Sequence, residues 1–277
     1  MNPRPITIAH SPDADDAFMF YALAKGRVPT GGWTVTHRLE DIESLNRKAV
    51  EGMYEVTALS FHAYSYVQEK YDLMTCGASV GDGYGPIVVS RDHLMPSDLA
   101  GEVVAVPGTW TTAFLALRLA IPAARFAVVP FDQIGAAVLS GRFKAGIIIH
   151  EGQLTYAGEK LQKVVDLGAW WQGLTRLPLP LGGNGVLRNL PHDEKLFLKK
   201  LVHDSVAYSL EHRHEALTHA LQYGRGLKRD TGDQFVGMYV NDWTLELGER
   251  GRTSITELLD RAHHAKLIPA HVSLRFI

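Results

Sequence analysis

Short apolar strands alternate with helices along most of the chain, and this alternation restricts the possible folds more than any other feature of the sequence. Strands are predicted over residues 5–10, 33–39, 56–59, 103–106 and 127–130, and helices over residues 17–25, 42–51, 61–69, 114–120 and 134–139 follow them in turn. Alternation of this kind favours a parallel or mixed sheet with helices packed on its faces. The sequence therefore predicts an α/β fold.

Two glycine-bearing extended segments, residues 81–90 and 178–187, interrupt the alternation. A chain of 277 residues is long for one core, and it fits two domains of roughly 100 to 150 residues each. A chain that leaves one lobe, builds another and returns must cross twice, and these segments are the best candidates for the crossings. We predict a first, discontinuous lobe of residues 1–90 and 184–277, and a second, smaller lobe of residues 91–183.

The last part of the chain is predicted to be helical and to pack back on the first lobe. Helices are expected over residues 193–212, 214–223, 233–239 and 255–266. Ser254 and Glu257 have the spacing of a capping box, which predicts that the last helix begins at Ile255.

Charge and cysteine content exclude several classes of function. The 28 Lys and Arg and 30 Asp and Glu residues give a formal charge of -2 without a basic stripe, so nucleic acid is not an expected partner. No stretch reaches the roughly 20 apolar residues that span a bilayer, and the first residues lack the apolar core of a secretory signal. We therefore expect a cytoplasmic protein without membrane contact. Cys76 is the only cysteine, which excludes an internal disulfide and predicts a buried apolar role.

His150 follows a run of three isoleucines, Ile147 to Ile149, that is flanked by Gly146 and Gly152. Such a run is typical of a short strand that is buried on both faces. In open α/β sheets the ligand crevice lies outside the carboxyl ends of the strands, which is where this histidine is placed. Its position alone is equally consistent with a strand-end histidine that is capped by a loop.

Three junctions between a strand and a helix have similar polar sequences. Their candidate ligand-binding residues are Ser11, Asp16, Ser60, Thr111, Thr112 and Ala113. Each junction places hydroxyls or carboxylates, and unpaired backbone N–H groups, at a helix N-terminus, where anions bind readily. One such junction alone is more often a plain helix cap. Three around one cleft, together with His150, indicate a binding site.

The loop before the first helix carries three carboxylates, Asp13, Asp15 and Asp16. Carboxylates repel an anionic ligand, so we expect this loop to meet hydroxyl groups or a ring, and a solvated helix cap is favoured over a metal site. His214 and His219 are five residues apart, which is the wrong spacing for a zinc-protease helix. The sequence has no P-loop, GxSxG elbow or GxGxxG fingerprint. We therefore predict no metal site.

Several strings of the sequence together resemble the 1,4-dihydroxy-6-naphthoate synthase family. They lie within residues 11–23, 59–60, 104–113, 148–156, 165–171, 177–182 and 239–248. The resemblance runs over nearly the whole chain, and the strings around His150 and around Trp170 and Trp171 are its most specific part. The first loop departs from the family pattern, because Asp13 and Asp15 stand where the family has Cys and Asn. The sequence therefore leaves open a substrate that is related to the substrate of the family but different from it.

The resemblance implies a fold like that of the type 2 periplasmic binding proteins, in which two α/β lobes close on a ligand between them. It implies a lyase that converts cyclic dehypoxanthinyl futalosine, a small-molecule carboxylate, to 1,4-dihydroxy-6-naphthoate in menaquinone biosynthesis without a cofactor. It also implies that His150 is the catalytic base and that Ser60, Thr111, Thr112 and Ala113 hold the substrate. We place Ser11 and Asp16 in the same site.

Two other functions share this fold, so the fold alone does not decide between them. One is a solute-binding protein of a transporter for a small carboxylate, and the other is chorismate dehydratase of the same pathway. A histidine at the strand end and the lack of an export signal favour an enzyme, and the matching strings favour the synthase. The oligomeric state stays open.

Overall fold

The computed structural model describes residues 4–224 and 226–277, and its strands form two sheets. The first three residues, which we assigned to the first lobe, lie outside the described residues. The first sheet consists of β1 (Arg4–His10), β2 (Trp33–Leu39), β3 (Val56–Ser60), β4 (Tyr71–Leu73), β5 (Ser79–Gly81) and β11 (Leu179–Leu187). The second consists of β6 (Ile87–Ser90), β7 (Val103–Val106), β8 (Arg125–Val128), β9 (Ala145–Ile148) and β10 (Gln162–Asp166).

Helices follow most of the strands, as the α/β prediction requires. The helices up to the last strand are α1 (Ala14–Met19), α2 (Tyr21–Ala24), α3 (Ile42–Ala49), α4 (Phe61–Val67), α5 (Thr112–Ala120), α6 (Ile134–Leu139), α7 (Gly152–Thr155) and α8 (Leu167–Thr175). The later ones are α9 (His192–Glu211), α10 (Arg213–Ala220), α11 (Arg229–Tyr239), α12 (Asp242–Leu245) and α13 (Gly248–His264). Pro96–Leu99 and Phe131–Gln133 form short 3₁₀ turns.

Both sheets mix parallel and antiparallel pairing. In the first sheet β1 pairs in parallel with β2 and β3, and the return strand β11 lies antiparallel between β3 and β4. In the second sheet β9 is parallel to β7 and antiparallel to β6, where Ile148 lies opposite Ile87. Every residue of β9 is buried. The candidate site residues predicted from the sequence lie at the carboxyl ends of β1, β3, β7 and β9 or in the loops that follow these strands.

The chain changes from one sheet to the other between Gly81 and Ile87, and it returns between Asp166 and Leu179. Both changes fall at or near the extended segments that we read as crossings. The exact limits of the two lobes, at residues 90 and 183, stay a prediction.

The carboxyl-terminal helices pack on the first lobe around a buried cluster that includes Phe18, Phe20, Val202 and Phe235. Cys76 is fully buried in the same cluster, and burial raises the pKa of its thiol to about 12, as expected of an apolar role. Among the described residues no helix is long and apolar enough to cross a membrane.

The predicted start of the last helix is wrong. Helix α13 begins at Gly248, and Ser254 lies inside it, fully buried. The Ser254 hydroxyl donates to the carbonyl oxygen of Pro178, just before β11. This serine therefore joins the helix to the returning strand, and a tertiary contact explains it better than a local cap.

Candidate functional site

A cavity with about 770 Å³ of empty space lies at the carboxyl ends of the strands, between the two sheets. The structure brings all six candidate junction residues into its wall: Ser11, Asp16, Ser60, Thr111, Thr112 and Ala113. Their contact with a substrate stays a prediction.

Thr111 is the N-cap of α5, and both functions of its hydroxyl are occupied. The oxygen accepts from the N–H of Phe114 at 3.1 Å, and the hydroxyl donates to the carbonyl oxygen of Gly108 at 3.1 Å. The hydroxyl of Thr111 therefore shapes the turn rather than facing the cavity with a free hydrogen.

Thr112 and Ala113 present the donors of this helix end. Their N–H groups fall in the first turn of α5, where a helix supplies no acceptor. The hydroxyl oxygen of Thr112 accepts from the N–H of His62 at 3.2 Å, which leaves its own hydrogen for another partner. These donors and the helix dipole make the part of the cavity wall at the start of α5 suitable for an anion.

Ser60 is held beside these donors by Asn46, a fully buried residue of α3. The N–H of Ser60 donates to Asn46 Oδ1 at 2.9 Å, and Asn46 Nδ2 donates to the Ser60 hydroxyl oxygen at 3.0 Å. Asn46 Nδ2 also lies 3.4 Å from the carbonyl oxygen of Trp110, one residue before the cap of α5. One asparagine therefore links the first-lobe serine to the second-lobe turn.

Asp13, Asp15 and Asp16 form an acidic part of the wall. The N–H of Ser11 donates to Asp16 Oδ2 at 2.7 Å, and the Ser11 hydroxyl donates to Asp13 Oδ2 at 2.8 Å. Asp13 makes no side-chain cap bond to the helix, and all three carboxylates line the cavity. The solvated cap that we favoured for this loop is therefore wrong.

Burial raises the pKa of Asp16 to about 7, and the charge of Asp13 adds to the effect. Burial raises the pKa of Asp15 well above its usual range, with further repulsion from Asp16 and Asp13. No Lys, Arg or His is among the described residues that line the cavity. The carboxyls of Asp15 and Asp16 can thus hold protons near neutral pH. In the described part of the chain, no group of three His, Cys, Asp or Glu side chains could hold a metal ion.

His150 lies just beyond the cavity wall. Strand β9 ends at Ile148, the next residue lines the cavity, and His150 itself is not part of the lining. Its Nδ1 accepts from the N–H of Gly152 at 3.0 Å, and its ring meets Phe131 edge-on at 5.9 Å. Because Nδ1 is an acceptor, the neutral ring carries its proton on Nε2. The role of His150 as the base stays a prediction.

Two cavity residues, Asn184 and Tyr239, were missed by the sequence analysis. Asn184 Nδ2 donates to the carbonyl oxygen of Gly77 at 2.9 Å, and its Oδ1 is buried without a partner among the described residues. A polar residue inside the glycine-rich strand around Gly182 was the available signal. Tyr239 donates to Gln153 Oε1 at 2.7 Å, a contact over 86 residues that no local pattern shows.

Comparisons with known proteins agree on one family. The family model described as menaquinone biosynthesis matches residues 6–264. The chain is 40% identical over 257 residues to a 1,4-dihydroxy-6-naphthoate synthase of Thermus thermophilus, covering 93% of each chain. It is 35% identical over 276 residues to a 1,4-dihydroxy-6-naphthoate synthase of Streptomyces coelicolor, covering 98% of this chain and 97% of the relative.

Solved structures agree on the fold. A protein of Archaeoglobus fulgidus superposes with a TM-score of 0.92 at 45% identity, covering 95% of this chain and 98% of its own. The alkanesulfonate-binding protein of Xanthomonas axonopodis bound to MOPS superposes with a TM-score of 0.76 at 13% identity, covering 98% and 96%. A Candida albicans protein described as having the generic periplasmic binding protein fold gives 0.69 at 11%, covering 98% and 97%. The last two likenesses concern the fold alone, and they confirm the predicted periplasmic-binding-protein-like class.

Proposed function

Because the chain belongs to the menaquinone biosynthesis family, and is an enzyme with the activity of its 1,4-dihydroxy-6-naphthoate synthase relatives, we propose that its cavity binds cyclic dehypoxanthinyl futalosine and converts it to that naphthoate. The family, pathway and enzyme class predicted from the sequence are confirmed. The substrate, its orientation and the residue roles are the proposal. We also keep the predicted cytoplasmic location, in line with the biosynthetic role of the relatives.

The observation that carries the proposal is the chemical difference between two parts of the cavity wall. One part offers donors, namely the N–H groups of Thr112 and Ala113 and the hydroxyl of Ser60. A helix N-terminus of this kind binds a carboxylate. The other part offers the carboxyls of Asp15 and Asp16, which suit the hydroxyls of a sugar-derived ring. The substrate is therefore oriented with its carboxylate on α5 and its hydroxyls on the acidic loop.

In this proposal His150 acts as the base that accepts a proton from the substrate, and we propose no cofactor for the lyase reaction. Its backbone continues directly from Ile149, which lines the cavity. The proposal requires that the ring leave the N–H of Gly152, which frees the Nδ1 lone pair to accept a proton from the bound substrate. Apo geometries of catalytic groups are often looser than those of the substrate complex. The raised pKa of Asp16, about 7 because of burial, suits it to share a proton with a substrate hydroxyl.

Turnover of cyclic dehypoxanthinyl futalosine by a His150→Gln variant tests the proposal. A positioned base contributes about 10²- to 10⁴-fold, so the rate of naphthoate formation should fall by at least about a hundredfold. His93, an exposed histidine of the second lobe, provides the matched control, and His93→Gln should keep the wild-type rate. A His150→Gln enzyme with the wild-type rate would exclude His150 as the base, and a wild-type chain without turnover would exclude the proposed substrate.

A further inference from the structure

One buried hydrogen bond connects the carboxyl-terminal helices to the loop of His150. The hydroxyl of Tyr239, the last residue of α11, donates to Oε1 of Gln153 in α7 at 2.7 Å. Tyr239 is 3% exposed and Gln153 is 7% exposed, so the bond is shielded from water. Helix α11 packs with the first lobe, whereas α7 follows a strand of the second sheet. The bond therefore spans the two lobes.

Gln153 is in turn bound to His150. The backbone N–H of Gln153 donates to the carbonyl oxygen of His150 at 2.9 Å, and the neighbouring N–H of Gly152 donates to His150 Nδ1 at 3.0 Å. The first turn of α7 thus rests on His150 through both its backbone and its ring. The bond from the N–H of Gln153 holds the backbone of His150 and not its ring, so a displacement of Gln153 moves the backbone that carries the imidazole even after the ring has left Gly152.

The ring of Tyr239 is itself fixed by its neighbours. Phe235 packs against it at 5.3 Å, and Tyr84 packs edge-on at 6.0 Å. The hydroxyl of Tyr84 donates to the carbonyl oxygen of Met238 and not to Gln153. Burial raises the pKa of Tyr239 above its usual range, so its phenol stays neutral and keeps the hydrogen that it donates. Tyr239 is thus a rigid support from which one bond reaches α7.

We infer that Tyr239 is a positioning residue that acts through Gln153 to hold His150 at the cavity. This inference rests on the proposed function, in which His150 takes the proton. The hydrogen bond between Tyr239 and Gln153 fixes α7, and with it His150, relative to the first lobe, which carries the acidic loop. Small displacements of a reacting group reduce rates strongly. Loss of this bond should therefore lower kcat, the rate at which bound substrate reacts, more than it lowers the affinity for the substrate.

Steady-state kinetics of four variants test the inference. Tyr239→Phe and Gln153→Met each remove the bond and keep the shape of the side chain. Each should lower kcat at least about tenfold while KM changes less than about threefold. The double variant should be no slower than the slower single variant, because the two changes remove one interaction. Tyr84→Phe removes a hydroxyl from the same ring cluster, and it should keep the wild-type kcat.

A thermal scan separates positioning from general stability. Each of the three single variants should lower Tm by a similar few degrees, because each loses one buried or partly buried hydrogen bond. Only Tyr239→Phe and Gln153→Met should lose kcat. Multiplicative losses in the double variant, or an equal loss in Tyr84→Phe, would overturn the inference.

A spectroscopic measurement tests it without turnover. With ¹³C-labelled histidine, the ring signal of His150 can be assigned by its disappearance in His150→Gln. That signal should shift or broaden in Tyr239→Phe and Gln153→Met and stay unchanged in Tyr84→Phe. A shift of this kind in a chain that does not turn over the futalosine derivative would support the positioning role and contradict only the proposed function. An unmoved signal in all variants would contradict the positioning role.

Discussion

Replacing Asp16 by asparagine should stabilise the protein, and more so at high pH. Burial raises the pKa of Asp16 from its ordinary value of 3.8 to about 7. The native state therefore holds this proton more tightly than the unfolded state does, and the stability linked to it falls as the pH rises from about 4 to about 7. Above that range the folded protein has to keep a charge in the cavity wall.

The size of the effect follows from the pKa and the geometry. Each tenfold change in acidity is worth about 1.4 kcal/mol, so the rise from 3.8 to about 7 sets an upper bound of roughly 4 kcal/mol. Asp16 is only partly buried and shares its repulsion with Asp13, so we expect about 1–2 kcal/mol. Asparagine keeps an oxygen that can accept the N–H of Ser11. The corresponding rise in Tm is roughly 2–8 °C for a chain of this size.

Denaturant unfolding at pH 8 and pH 5 measures this difference. The Asp16→Asn variant should be more stable than the wild type at pH 8, and the gain should shrink to less than half at pH 5, where the native carboxyl is already protonated. Asp92→Asn, at an exposed carboxylate of the second lobe, should change stability by no more than about 0.5 kcal/mol at either pH. An Asp16→Asn variant that is less stable than the wild type at pH 8, or a gain in stability that is independent of pH, would contradict a raised pKa of Asp16.

Three further predictions concern the same region. A Cβ at Gly152 would lie 2.8 Å from Cε1 of His150, so Gly152→Ala should displace the ring and lower kcat at least about tenfold with little loss of Tm; an unchanged kcat would contradict this. Thr112→Val removes a free hydroxyl donor and should weaken naphthoate binding by about 1.5–3 kcal/mol. Thr111→Val removes a helix cap and should mainly lower the stability of the protein by about 1 kcal/mol. Binding calorimetry and thermal scans of both variants should show this contrast, and equal effects of the two changes would contradict it. Burial lowers the pKa of His10 from 6.5 to about 3, so the stability that the neutral ring gives to the folded protein is lost as the pH falls from 6.5 towards 3. The free energy of unfolding should therefore differ less between pH 4.5 and pH 6.5 in His10→Gln than in the wild type. An equal difference in the two proteins would be inconsistent with a neutral buried ring.

Local periodicity was sufficient to predict most strands and helices. The strand Trp33–Leu39 and the helix Ile134–Leu139 have the predicted limits, because alternation and helical spacing are properties of neighbouring residues. The gathering of Ser60 and Thr112 in one cavity wall was also predicted from the sequence, because each lies at or after the carboxyl end of a strand and the ligand crevice of open α/β sheets lies there. Such features depend on chain order and not on distant contacts.

The features that the sequence did not indicate depend on contacts between distant residues. Ser254 looked like a helix cap because its local pattern fits one, yet its partner is Pro178. The pairing of Tyr239 with Gln153 crosses the two lobes. The direction of the His150 ring is set by the N–H of Gly152, a geometry that a strand-end position does not specify. Tertiary packing decides each of these, and a local pattern cannot contain it.

A crystal structure of the protein with bound 1,4-dihydroxy-6-naphthoate shows whether the cavity is the active site. We predict that the naphthoate lies in the cavity between the two sheets, with its carboxylate within hydrogen-bond distance of the N–H groups of Thr112 and Ala113. We also predict that a ring nitrogen of His150 faces the ligand and has left the N–H of Gly152. A naphthoate bound elsewhere, or bound with its carboxylate on the acidic loop and His150 still on Gly152, would contradict the proposed site and the role of His150.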